Sequence, residues 1–101
     1  MAKKARRQPP VHPGEILRED LKPLGISVNR LGRGLRVPVT RMSEIINGRR
    51  GVTADTALRL ARYFGTTPEF WMSLQAAYDL ALVQRVSSDR IARDVHPREA
   101  A

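Results

Sequence analysis

Residues 27–50 read SVNRLGRGLRVPVTRMSEIINGRR. Val28, Leu31 and Leu35 recur at i, i+3 and i+7, the spacing of one buried helix face. Ser27 precedes them as a hydroxyl cap. Gly32 and Gly34 weaken this helix by up to about 1 kcal/mol each relative to alanine. After a short gap, Pro38 opens a second helix that turns Met42, Ile45 and Ile46 inward. Asn47-Gly48 ends it, because glycine enters the left-handed region without strain. Two short helices joined by a tight turn, the second polar outside and followed by Arg49 and Arg50, form the arrangement that sets a helix in the DNA major groove.

The flanking sequence is also helical. Pro13 suits the first position of a helix reaching about Leu24, with His12 before it as a cap and Pro23-Gly25 ending it. Leu17, Leu21 and Leu24 share a face, with Ile16 beside them. Thr53 caps a fourth helix whose predicted buried stripe is Ala54, Ala57, Leu58, Ala61 and Phe64, closed by Gly65. Thr67-Pro68 starts the longest helix, predicted to reach about Arg85, with Glu69 complementing its dipole. The polar run VSSDRIARDVHPREAA follows. A short helix over Ser88–Asp94 fits there, and the chain should loosen from Pro97. No alternating strand pattern stands out. The expectation is an all-α fold of five helices over residues 12–85, with a disordered basic arm (1–11) and a polar tail (86–101).

The 101 residues suffice for one small domain, and 42% hydrophobic content can fill its core. A net charge of +8 favours a polyanionic partner. The arm MAKKARRQPP either touches phosphates or stays solvated. The absence of cysteine rules out thiolate metal sites and cysteine catalysis and suits the cytoplasm. No apolar run approaches the roughly 20 residues of a membrane span, so no membrane partner is expected. An enzyme is disfavoured. His12 and His96 lie near opposite ends, and there is no glycine-rich phosphate loop, metal-ligand spacing or carboxylate pair. No cofactor or metal is expected.

The DNA-facing candidates follow from the inward residues of the third helix. With Met42, Ile45 and Ile46 buried, Val39, Thr40, Arg41, Ser43, Glu44 and Asn47 face out. Arg41 suits the O6 and N7 of guanine, Val39 a thymine methyl, and Thr40 a base or phosphate. Glu44 either accepts from cytosine N4 or orients Arg41. Arg41 and Glu44 also have the spacing of an ordinary surface pair. Ser27, Arg30, Asn47, Arg49 and Arg50 are placed for phosphates. The fifth helix carries surplus apolar surface. Trp71, Met72, Leu74, Tyr78, Leu80 and Val83 are the candidate homodimer seam; the alternative is that the C-terminal segment folds back over Leu80 and Val83.

Leu31, Val37, Met42, Ile45, Asn47 and Gly48 resemble, in order, the helix-turn-helix of phage-repressor and Cro-type (XRE) regulators. Over residues 12–85 the chain more narrowly resembles HigA-type antitoxins of the VapI-like branch. The carrying motifs are HPGEIL at 12–17, INGRRGVTADTALRLARYFGTTPEFW at 46–71 and LQAAYDLAL at 74–82. Two positions depart from the repressor pattern. Gly32 stands for the usual small alanine. Arg36 stands for the usual turn glycine, and so should meet a turn geometry that costs a side chain energy. The resemblance implies the antitoxin of a type II toxin–antitoxin pair. Such a protein restrains a HigB/RelE-like mRNA-cleaving toxin and, as a homodimer on a palindromic double-stranded DNA operator, represses its own operon. The alternatives are a stand-alone phage-repressor-type regulator without a toxin and a protein-interaction module that no longer binds DNA.

Overall fold

In the computed structural model, which describes residues 10–99, the chain forms α1 (Pro13–Leu24), α2 (Val28–Leu35), α3 (Val39–Ile46), α4 (Ala54–Phe64) and α5 (Pro68–Asp94). The predicted basic arm lies almost wholly outside the described residues. Four helices start at a side-chain cap. His12 Nδ1 accepts from the Gly14 N–H at 2.9 Å, and Ser27 Oγ from that of Arg30 at 3.1 Å. Thr53 Oγ1 accepts from Thr56 at 3.4 Å and Thr67 Oγ1 from Phe70 at 3.1 Å. Each satisfies a backbone donor that the helix leaves unpaired. Only α3 lacks such a cap; Pro38 precedes it.

One cluster fills the interior. Leu17 from α1, Leu31 from α2, Met42 and Ile45 from α3, Leu60 from α4 and Trp71 from α5 are all essentially inaccessible to solvent. Burial of each contributes roughly 1.5–3 kcal/mol. The helix pairs α2–α3 and α4–α5 make the most extensive contacts, and α1 packs across α3. Gly32 permits the first of these. A Cβ there would stand 3.1 Å from both Cα and Cγ2 of Val39, so only a small residue fits without crowding the start of α3.

The turn between α2 and α3 centres on Arg36, at φ 60° and ψ 44°, the one described non-glycine residue at positive φ. This is the position where the repressor pattern has glycine. The strain is offset from α4: Arg59 Nη1 donates to Leu35 O at 2.9 Å and Arg36 O at 3.5 Å.

Three sequence expectations need correcting. Leu24 is 56% exposed; beyond the reversal at Gly25, Ile26 packs on the core instead. In α4 the buried stripe is Thr56, Ala57, Leu60 and Ala61, while Ala54 faces solvent and Leu58 is 60% exposed. A threonine is accepted inside because Thr56 Oγ1 has partners in Arg41 Nη1 and Thr53 Oγ1, each at 3.4 Å. Finally, α5 does not stop near Arg85. It runs unbroken for 27 residues to Asp94, roughly 40 Å at 1.5 Å per residue. The predicted polar tail is therefore largely the outer end of this helix.

Replacing Arg36 with glycine should raise thermal stability. An L-residue in the left-handed region costs roughly 1–2 kcal/mol, partly offset by the extra freedom glycine gives the unfolded chain. A thermal melt of Arg36→Gly should show a gain of up to about 1 kcal/mol.

Candidate nucleic-acid interface

The outward face of α3 is built by what α3 buries. With Met42, Ile45 and Ile46 against the core, Thr40 and Asn47 are exposed, and Val39, Arg41, Ser43 and Glu44 are half-buried. Ser27 and Arg30, at the start of α2, are exposed, as are Arg49 and Arg50 after α3. The hydroxyl of Ser27 already accepts from the Arg30 N–H, so its remaining lone pair and its proton are what a ligand would meet.

Hydrogen bonds sort these residues further. Glu44 does not orient Arg41. Its Oε1 accepts from Arg50, at 2.7 Å from both Nε and Nη2. Asn47 is tied into the frame at both ends of its amide. Nδ2 donates to Ser43 O at 2.9 Å, and Oδ1 accepts from Arg18 Nη2 at 3.1 Å. The same Arg18 nitrogen reaches Ile46 O at 3.1 Å, so α1 secures the C-terminal end of α3.

Arg41 turns toward α4. Its Nη1 donates to Asp55 Oδ2 at 3.0 Å and to Thr56 Oγ1 at 3.4 Å. Asp55 Oδ2 also accepts from Arg59 Nε at 2.9 Å. The hydrogen bond from Arg59, and next that from Arg41, holds the Asp55 carboxyl below its ordinary value of 3.8. Asp55 therefore stays ionised wherever carboxylates normally are. One carboxylate between two guanidiniums leaves the cluster with net positive charge.

Asp55, Arg59 and Arg18, which tie the candidate side chains Arg41 and Asn47 to the frame, are not singled out by the sequence. The i, i+4 spacing of Asp55 and Arg59 was a visible helix pair. The link from Asp55 to Arg41 spans 14 positions and depends on α4 and α3 both packing on α2. Among the described residues there is no group of three or more His, Asp or Glu side chains arranged to hold a metal.

The candidate dimer residues divide. Trp71 must be corrected: it is 1% exposed within its own protomer, with Nε1 donating to Thr66 Oγ1 at 2.9 Å. The first turn of α5 lies on the core, so this indole is a core residue. Leu74 is partly buried on the same core. Tyr78 is half-buried, its ring 4.8 Å from that of His12 in an edge-on contact. Met72, Leu80 and Val83 are exposed, and Leu82, Val86 and Ile91 extend the apolar surface along α5. Among the described residues nothing folds back over Leu80 and Val83, which remain 59% and 51% exposed. No described helix is long and apolar enough to cross a membrane.

Comparison with known proteins agrees with this geometry. The helix-turn-helix family HTH_3 matches residues 17–71. Virulence-associated protein I of Dichelobacter nodosus is 51% identical over 78 residues, covering 76% of this chain and 72% of its own. An addiction module antidote protein of the HigA family from Coxiella burnetii has a similar structure (TM-score 0.88). It shares 50% identity, with 90% of this chain and 100% of that one covered. Pseudomonas aeruginosa antitoxin HigA, solved with the higBA promoter, superposes with a TM-score of 0.85 at 41% identity, covering 89% and 99%. Five helices in this order, a short helix pair with a polar second member and these relatives place the chain in the XRE-type helix-turn-helix family, among the HigA antitoxins.

Proposed function

We propose that this chain is a type II antitoxin that represses its own operon by binding a palindromic operator as a homodimer and neutralises a RelE-like mRNA-cleaving toxin. The observation that carries the DNA-reading part is the outward face of α3. Thr40 and Arg41 stand on its first turn, and the exposed cations Arg30, at the start of α2, and Arg49 and Arg50, after α3, flank it in sequence. The Pseudomonas aeruginosa relative solved with promoter DNA supports the same use of the fold.

The roles divide by chemistry. Val39, Thr40, Arg41 and Ser43 meet base edges, with Arg41 directed to guanine. Ser27, Arg30, Asn47, Arg49 and Arg50 meet phosphates and fix the register of α3 in the groove. Glu44 keeps Arg50 beside the groove rather than reading cytosine itself. Each dimer reads two half-sites one helical turn apart, roughly 34 Å. The dimer seam is the apolar face of α5 that includes Met72, Leu80 and Val83. Several large apolar side chains exposed on one helix favour association.

The toxin-binding part rests on membership of the HigA antitoxins. Co-expression with the neighbouring reading frame, followed by purification through a tag on this chain, should recover a stoichiometric complex and relieve growth arrest. Recovery of this chain alone, with no effect on growth, would favour a stand-alone regulator.

Gel shifts on the chain's own promoter test the assigned roles. Arg41→Ala should lose about 1–3 kcal/mol of discrimination at one base pair per half-site. Arg49→Ala should weaken all sequences alike and lower the salt slope by about one. Unchanged specificity in Arg41→Ala would contradict the assignment of α3 as the reading helix.

A further inference from the structure

We propose that Asp55, on α4, is a specificity-determining positioning residue that holds Arg41 so that one edge of its guanidinium is presented to guanine. This rests on the DNA-reading function proposed above. An arginine reads guanine well only when two N–H groups lie in the base plane together. A free arginine on a helix surface also reaches phosphates, which carry no sequence information. Selectivity at such a position therefore depends on what restrains the side chain.

Here the restraint is built in layers. Arg41 Nη1 is engaged by Asp55 Oδ2 at 3.0 Å and Thr56 Oγ1 at 3.4 Å. Those two acceptors account for both hydrogens of that nitrogen. The guanidinium retains Nε–H and the two hydrogens of Nη2. Nε and Nη2 form the side-on fork that matches paired acceptors such as O6 and N7. Asp55 is itself held, because its Oδ2 accepts from Arg59 Nε at 2.9 Å. Arg59 is anchored in turn on the Leu35 and Arg36 carbonyls. The chain of contacts thus runs from the α2–α3 turn through α4 to the reading side chain, all on regular elements or on a turn they clamp. Thr56 is buried, so the far side of the Arg41 fork rests on a fixed wall.

A plain surface ion pair would behave differently. It would alter stability slightly, or affinity for every sequence alike. A positioning carboxylate acts at one base pair. Its removal also takes a negative charge from beside the DNA, so binding to unrelated DNA should hold or strengthen.

The experiment measures Kd for an operator duplex and for duplexes with each half-site base pair changed, at one salt concentration. The proteins are wild type, Asp55→Asn, Arg41→Ala, Arg41→Lys and the double variant Asp55→Asn/Arg41→Ala, with a thermal melt on each. Wild type should prefer guanine at the Arg41 position by about 5- to 150-fold. Asp55→Asn should reduce that preference at least several-fold while retaining discrimination elsewhere. Arg41→Lys, which keeps the charge without the fork, should share the loss. In the Arg41→Ala background Asp55→Asn should change nothing further at that base pair. Wild-type discrimination in Asp55→Asn, or an equal loss at every position, would overturn the inference while leaving the DNA-reading function standing. Absence of wild-type binding, or full discrimination in Arg41→Ala, would overturn that function and this inference with it.

Discussion

The position of α3 is set by two close backbone approaches. Gly32 of α2 lies under Val39, where a Cβ would come within 3.1 Å of the α3 backbone. Gly14 of α1 lies against the carbonyl of Ile45, with no room for any side chain. α3 has eight residues and no side-chain cap, and helices below roughly 12–15 residues are marginal on their own in water. Its order therefore comes from its neighbours. The two glycines bring helix axes near enough for Leu17, Leu31, Met42 and Ile45 to close one core. A side chain at Gly14 would displace α3, and one larger than alanine at Gly32 would crowd Val39, so the outer face of α3 depends on both.

Magnitudes separate what holds this frame from what aims it. Six fully buried apolar side chains contribute roughly 1.5–3 kcal/mol each against exposure. The ion pairs joining Arg41, Asp55 and Arg59 lie at the surface, where solvent screens them and little stability follows. The charged cluster is not what keeps α3 in place. Its consequence is orientation: two cations share one carboxylate oxygen, and the arrangement fixes which donors of Arg41 remain free. Burial supplies the rigidity, and charge supplies the direction.

Much of the architecture was legible where local chemistry decides it. The caps at Ser27, Thr53 and Thr67 and the left-handed glycines at positions 25 and 65 mark helix ends through neighbours only a few residues away. The misfit at Arg36 was legible for the same reason, since a turn of that geometry penalises any Cβ. Packing was less legible. Thr56 is inside and Leu58 outside because a buried hydroxyl with two partners is tolerated, and hydropathy alone does not register those partners. The outer third of α5 read as polar tail because little of it packs on its own protomer, and its helix continues on local propensity without a buried stripe. The outward residues of α3, proposed to face DNA, follow by elimination once the inward face of α3 is assigned. Their restraints, Asp55 and Arg59 for Arg41 and Arg18 for Asn47, depend on contacts that no local pattern encodes.

In the proposed complex, α3 of each of two protomers enters the major groove of one operator. Hydroxyl-radical footprinting of the full chain on its own promoter measures this directly. Two symmetric protected segments should appear on one face of the duplex, roughly 34 Å apart. One isolated protected segment, or protection independent of sequence, would contradict it.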